Sequence, residues 1–147
     1  MKQTLIALLS LSLLAVAAEK KLQLKDLPAA VQKAVTDQAK GGEIKTISME
    51  KENGITQYEV ETMLNGKHRD FNLDTKGTLL AVEEETSIDS VPAPVKTAIL
   101  KKAGTGRVTM VETVTKGTDT MYEAAITSKA GKKSEALFKA DGTPTKD

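Results

Sequence analysis

The stretch LPAAVQKAV at residues 27–35 returns as VPAPVKTAI at residues 91–99, an offset of 64 positions. Each copy places a proline just behind a residue whose side chain can accept a backbone N–H, Asp26 in the first and Ser90 in the second. Such residues make good N-caps, and proline costs nothing in a first helical turn because its missing N–H has no partner there. Apolar residues then recur at Leu27, Val31, Ala34, Val35 and Ala39, and at Val91, Val95, Ala98, Ile99 and Ala103. That spacing is one face of a helix with a period of about 3.6 residues. Gly41-Gly42 and Gly104 supply the stops. Two amphipathic helices of about three turns are expected, each with one buried face.

The correspondence runs on past the helices. Gly42 matches Gly106, Ile44 matches Val108, Ile47 matches Val111, and Tyr58-Glu59 matches Tyr122-Glu123. One extra residue near Ala130-Gly131 shifts the offset to 65, after which Leu73 meets Phe138 and Gly77 meets Gly142. Matches at Pro, Gly and Tyr, the residues that punctuate structure, point to an internal duplication. Residues 57–64 alternate, with Tyr58, Val60, Thr62 and Leu64 on one side and Gln57, Glu59 and Glu61 on the other. Tyr122, Ala124 and Ile126 oppose Met121, Glu123 and Ala125 in the same way. This is the pattern of antiparallel strands with one face on a core. Phe71 and Leu73 are expected inward and Asp70 and Asn72 outward, with Ala136 and Phe138 as their echoes. Asn65-Gly66 is a two-residue hairpin signal, since both residues tolerate positive φ.

Residues 44–52 and 107–115 also read as strands, but their apolar residues stand three apart, as Ile44 and Ile47 do. A bulge accounts for that spacing; a helical continuation is the alternative. Residues 78–84 make a last strand of the first copy, and Glu83-Glu84-Glu85 its end and a short linker. The counterpart after Gly142 is short and polar, so the second copy is expected to end one strand early. The expected fold is α+β: two tandem helix-plus-antiparallel-meander repeats, at residues 19–85 and 86–147, with the helices packed on one face of the sheet. The two repeats are expected to form one compact unit.

Residues 1–18 stand apart from this pattern as a signal peptide. Lys2 precedes an apolar run from Leu5 to Val16, and Ala15-Val16-Ala17 offers small residues for cleavage after Ala17 or Ala18. The run is shorter than the roughly 20 residues of a spanning helix, so no membrane insertion is expected after cleavage. The mature chain would then be periplasmic or secreted. Losing Lys2 leaves 20 basic against 20 acidic residues, a net charge of zero. A nucleic-acid binder needs a basic surplus to neutralise phosphates, so that class is excluded. With no cysteine there is no thiolate chemistry and no sulfur-ligated metal. With no tryptophan, two tyrosines and two phenylalanines, the core must be built from aliphatic residues.

Chemistry-bearing sets are sparse. His68 is the only histidine and is expected on the surface beside Asp70, so a Ser–His or multi-His site lacks its parts. Glu59 and Glu61 share a strand face about 7 Å apart, but paired carboxylates cleave glycosides only within a cleft. Glu83-Glu84-Glu85 could attract calcium, yet strand neighbours point to opposite faces and no calcium-loop pattern is present. No catalytic residue, cofactor site or metal ligand is assigned, and the chain is not expected to be an enzyme.

The unit formed by LPAAVQKAV, its glycine stop, a strand and TQYEVETMLNGKHRDFNLDTKGTLL resembles a PepSY-like domain. The run that carries the resemblance goes from Tyr58-Glu59-Val60 to Asp74-Thr75-Lys76-Gly77. The second copy keeps Tyr122-Glu123 and Asp141-Gly142, with Ala124 for Val60 and Lys139 for Asp74. The resemblance implies a secreted or periplasmic α+β domain, arranged like the two helix-plus-sheet repeats of the β-lactamase inhibitor protein. It also implies a non-catalytic role, such as restraining a peptidase or binding another protein of the cell envelope. Tight inhibitory interfaces use Trp, Tyr and Arg anchors, whereas Trp is absent and both tyrosines face the expected core. A partner would meet the polar strand face at Glu59, Glu61, His68, Asp70 and Glu123. The alternative is a periplasmic domain sensing a small ligand or an ion such as calcium in a groove between the repeats.

Overall fold

The computed structural model of the chain describes residues 20–52 and 54–146. The expected signal peptide and its cleavage site lie outside the described residues. Both helices form where the apolar periodicity puts them, α1 at Ala29–Ala39 and α2 at Ala93–Ala103. Val31, Val35 and Ala39 are buried on α1, and Val95 and Ile99 on α2. Lys101 and Lys102 lie in the last turn of α2, where a positive charge complements the helix dipole.

The helix starts differ from expectation. Asp26 and Ser90 do not cap; Pro28 and Pro92 occupy the N-cap positions, and no side chain caps either helix. The proline ring locks φ near −56° and −53°, so the carbonyl is already aimed down the helix. Gln32 N–H donates to Pro28 O at 2.9 Å, and Lys96 N–H donates to Pro92 O at 3.0 Å. Asp26 instead ends a single 3₁₀ turn, Leu24–Asp26, where its carboxylate accepts the Gln23 N–H at 3.2 Å. The stops hold: Lys40 adopts a left-handed φ of 52° after α1, and the Gly104 N–H donates to Leu100 O at 3.0 Å after α2.

The chain divides into two compact units between Glu84 and Glu85. In the first, five strands pair antiparallel in sequence order: β1 (Lys20–Lys21), β2 (Glu43–Glu52), β3 (Ile55–Leu64), β4 (Lys67–Asp74) and β5 (Leu79–Glu85). The acidic run continues β5 through Glu85, where a linker was expected. The register slips between Ile44 and Thr46, so the odd spacing is a bulge and not a helix. The extra residue lets Ile44 and Ile47 both pack on the α1 side. The core there joins Leu27, Val31 and Val35 to Ile47, Tyr58, Val60, Phe71 and Leu73.

The second unit carries α2, β6 (Arg107–Lys116), β7 (Asp119–Thr127), β8 (Lys133–Lys139) and β9 (Pro144–Thr145), again antiparallel in order. The slip recurs between Val108 and Met110. Val91, Val95 and Ile99 pack on Val111, Ala124, Ile126 and Phe138. The expectation of an early end is corrected by β9: Thr145 and Pro144 pair with Leu137 and Phe138.

The Asp-x-x-Gly run has a packing cause. Gly77, at φ 84°, sits where a Cβ would come within 2.7 Å of the Ala30 carbonyl in the first turn of α1. Gly142, at φ 82°, stands in the same relation to Pro94 of α2, at 2.6 Å. The turn is held by the Asp74 carboxylate, whose Oδ1 accepts the N–H groups of Lys76 and Thr78, each at 2.8 Å. The motif therefore docks a hairpin turn against a helix.

Candidate functional site

Strand alternation sorts each unit's side chains into a helix-covered face and an opposite face. In the first unit, the helix side of β4 holds Arg69, whose side chain is 5% exposed. Its Nη1 donates to the Gln38 carbonyl at the end of α1 at 2.6 Å, and its Nε to Glu84 Oε1 at 3.0 Å. The guanidinium lies 5.7 Å from the centre of the Phe71 ring. This residue ties the helix terminus to β4 and β5, and its position beneath α1 marks it as structural.

The face opposite α1 has another character. The register brings Thr46, Ser48 and Glu50 of β2, Gln57, Glu59 and Glu61 of β3, His68, Asp70 and Asn72 of β4, and Ala81 and Glu83 of β5 onto it. Five of these are carboxylates, and Lys21 of β1, paired with Ser48, stands on the same face. Asp70 stands directly opposite Glu83. Gln57 Nε2 donates to Glu50 Oε1 at 2.5 Å across the β2–β3 pair. The Thr62 N–H donates to Asp70 Oδ1 at 2.9 Å. Burial pushes the Asp70 carboxyl above its usual range; the Thr62 bond and the nearby His68 oppose the rise, and Glu61 adds to it.

The corresponding face of the second unit is mixed. Glu112 stands opposite Glu123, both buried, among Met110, Val114, Met121 and Leu137. Glu135 lies one pair further along β8, and Lys116, Lys133 and Lys139 supply cations at the margins. Desolvation, helped by the charge of Glu123, raises the Glu135 carboxyl to about 7. Its side chain is exposed, so solvent moderates the energetic effect of that rise.

Of the residues expected to meet a partner, Glu59, Glu61, His68 and Asp70 stand together on β3 and β4 of the first unit. Glu61 and His68 are exposed and Glu59 and Asp70 half-buried. Glu123 belongs to the second unit, buried on β7. The alternation of β3 already put Gln57 beside Glu59 and Glu61, whereas Glu50 and Glu83 were not assigned to this face. Extending the alternation across the β2 hairpin would have found Glu50, and the packing of Val82 against the core would have placed Glu83. A separate cleft of about 300 Å³ lies at the edge of β2, lined by Leu22, Leu24, Ile44 and Ile47 with Lys21 and Lys45, and holds none of the expected residues. Among the described residues, no group of three or more His, Cys, Asp or Glu side chains is gathered to hold a metal ion. Also among the described residues, no helix is long and apolar enough to cross a membrane.

No family model matches the chain, and no curated protein matches it in sequence. Solved structures do resemble it. A protein of Bacteroides eggerthii DSM 20697, provisionally described as periplasmic, aligns with a TM-score of 0.65 at 18% identity, covering 82% of this chain and 86% of that one. A DUF2874 family protein of Bacteroides uniformis ATCC 8492 gives 0.63 at 18% identity, covering 81% and 86%. A BLIP-like protein of Bacteroides fragilis NCTC 9343 gives 0.55 at 21% identity, covering 81% and 83%. The shared feature is the fold, an α+β arrangement of BLIP-like kind.

Proposed function

We propose that this chain is an exported, non-catalytic binding module built of two tandem PepSY-like copies, which holds a protein of the cell envelope against its polar strand surface. The observation that carries the reading is the side-by-side placement of Glu59, Glu61, His68 and Asp70 on the strand face opposite α1. A polar face built on paired strands is a rigid platform, and rigid elements hold a binding surface with less ordering cost than loops do. Localisation outside the cytoplasm is supported by the apolar leader in the sequence and by the periplasmic description of a structural neighbour. The BLIP-like neighbour favours protein binding over catalysis as the use of the surface.

The test is capture from a periplasmic extract under mild crosslinking, with the chain as bait. A discrete partner should be recovered and lost when Glu59 and Glu61 are replaced by lysine. Replacement of Lys33 by glutamate, on the exposed side of α1, should leave capture intact. Recovery of nothing, or equal loss with both changes, overturns the proposal.

A further inference from the structure

The two copies part company at their last strands. In the first, β5 pairs with β4 from Arg69 to Leu73. In the second, β9 pairs with β8 only at Leu137 and Phe138. With the offset of 65, Ser134, Glu135 and Ala136 correspond to Arg69, Asp70 and Phe71. Those three have Glu84, Glu83 and Val82 of β5 beside them; among the described residues, their counterparts have no strand on that side.

The hydrogen bonds show which main-chain groups are left open. Ser128 N–H donates to Lys132 O at 2.8 Å on the β7 side, and Lys139 N–H donates to Thr143 O at 2.9 Å on the β9 side. Main-chain groups alternate along an antiparallel strand, so those of Lys133 and Glu135 point outward as those of Lys139 do. Both residues are exposed, and so is Ser134 between them.

An open edge is a template for another strand, and a lysine on it ordinarily discourages pairing. Here the lysine has its complement two positions on. When two copies meet antiparallel about Ser134, Lys133 of each faces Glu135 of the other across a hydrogen-bonded pair. Opposite charges directly across strands are favourable and like charges are not. Sliding the pairing by two residues sets Lys133 against Lys133, or Glu135 against Glu135, so the charges select one register. At Leu137, where β9 takes the edge, the second copy has reached Gly131 and its own turn back to β7. Among the described residues Glu135 makes no ion pair within its own copy, and partial burial, then the charge of Glu123, both disfavour its ionised form.

We infer that the open edge of β8 receives the same edge of a second copy of this chain, as an antiparallel pair centred on Ser134. The contact is short, so the dimer is weak and forms at high local concentration. It uses the second unit and leaves the strand face of the first unit out of the contact.

Because the chain has no cysteine, Ser134→Cys supplies a single thiol on the two-fold axis. Facing residues of a non-hydrogen-bonded pair lie about 4.5 Å apart at Cα, within disulfide reach. Mild oxidation of the full chain should link the Ser134→Cys variant into a dimer. The Ala130→Cys variant, changed at an exposed turn residue away from the axis, should stay largely monomeric. Sedimentation of the cysteine-free chain should show a reversible dimer at concentrations up to about 1 mM. Lys133→Glu or Glu135→Lys alone should weaken it about tenfold, since each change makes two attractive pairs repulsive. The double exchange of Lys133→Glu with Glu135→Lys should restore it. A chain monomeric throughout that range, equal linking of the two cysteine variants, or no recovery in the double exchange overturns the inference.

Discussion

Replacing Arg69 by methionine keeps an unbranched stem of similar length beneath α1 and deletes the guanidinium. Four interactions are lost, the weakest being the 3.4 Å bond from Nη2 to Gln38 Oε1. The Gln38 carbonyl, at the helix end, loses its donor at 2.6 Å, a loss of about 1–3 kcal/mol for a sheltered acceptor. The placement over Phe71 at 5.7 Å adds about 0.5–1 kcal/mol. The ion pair with Glu84 adds less than about 1 kcal/mol, because the Glu84 side chain is 51% exposed and well screened. The expected cost is about 3 kcal/mol, carried mainly by the carbonyl contact. Urea denaturation at neutral pH would measure it. The two tyrosines, Tyr58 in the first unit and Tyr122 in the second, allow a local reading. A Tyr122→Phe background leaves Tyr58 as the sole fluorescent reporter of the unit that holds Arg69. A Glu84→Gln change in the same background should cost less than about 1 kcal/mol. A loss below about 1 kcal/mol for Arg69→Met, or an equal loss for Glu84→Gln, would refute the account of Arg69 as the clasp on the α1 terminus.

Gly77→Ala combines an unfavourable φ of 84° with a contact of 2.7 Å on the Ala30 carbonyl, whereas Gly66→Ala, at φ 79°, meets nothing within 4 Å. Gly66→Ala should cost about 1–2 kcal/mol and Gly77→Ala at least about 1 kcal/mol more, read by urea midpoints of the two variants. Asp26→Ala should cost less than about 0.5 kcal/mol, half or less of what a true N-cap loses, because Asp26 bonds only to an exposed N–H in the preceding turn. For Asp74, slight desolvation raises the carboxyl, but the N–H bonds from Thr78 and Lys76 outweigh it and hold the group below its usual range. A depressed folded value contributes stability above the unfolded pKa and loses it as pH falls through the folded value. Asp74→Ala should therefore be less stable than the parent at neutral pH, with the gap closing below about pH 3 in melting curves taken across the acid range.

Much of the first unit was legible from residue order alone. The α1 face, the inward set Tyr58, Val60, Phe71 and Leu73, and the Asn65-Gly66 hairpin follow from periodicity and turn chemistry, which act over a few residues. The bulge near Lys45 could also be reached, because Ile44 and Ile47 could not both face the core in a regular strand. The helix caps could not. Asp26 and Pro28 both qualify by type, and the choice depends on the path by which the chain enters the helix, which the 3₁₀ turn and the Gln32 bond to Leu27 O at 2.8 Å determine. The edge strand β9 escaped notice because two residues carry too little pattern. The candidate face was half legible: alternation put Glu59, Glu61 and Asp70 on one side, but Glu50 and Glu83 needed the register of the neighbouring strands.

By itself, the sequence determined the repeated helix phrase, the alternating strands and the apolar leader, because each depends on local spacing or on residue type. Tertiary structure decided what those residues do for one another. It made Arg69 a clasp by bringing the end of α1, 31 positions away in sequence, within reach of its guanidinium. It gathered the carboxylates of four strands onto one face, a proximity that no count of charges along a neutral chain reveals, since electrostatic effects depend on distance in space.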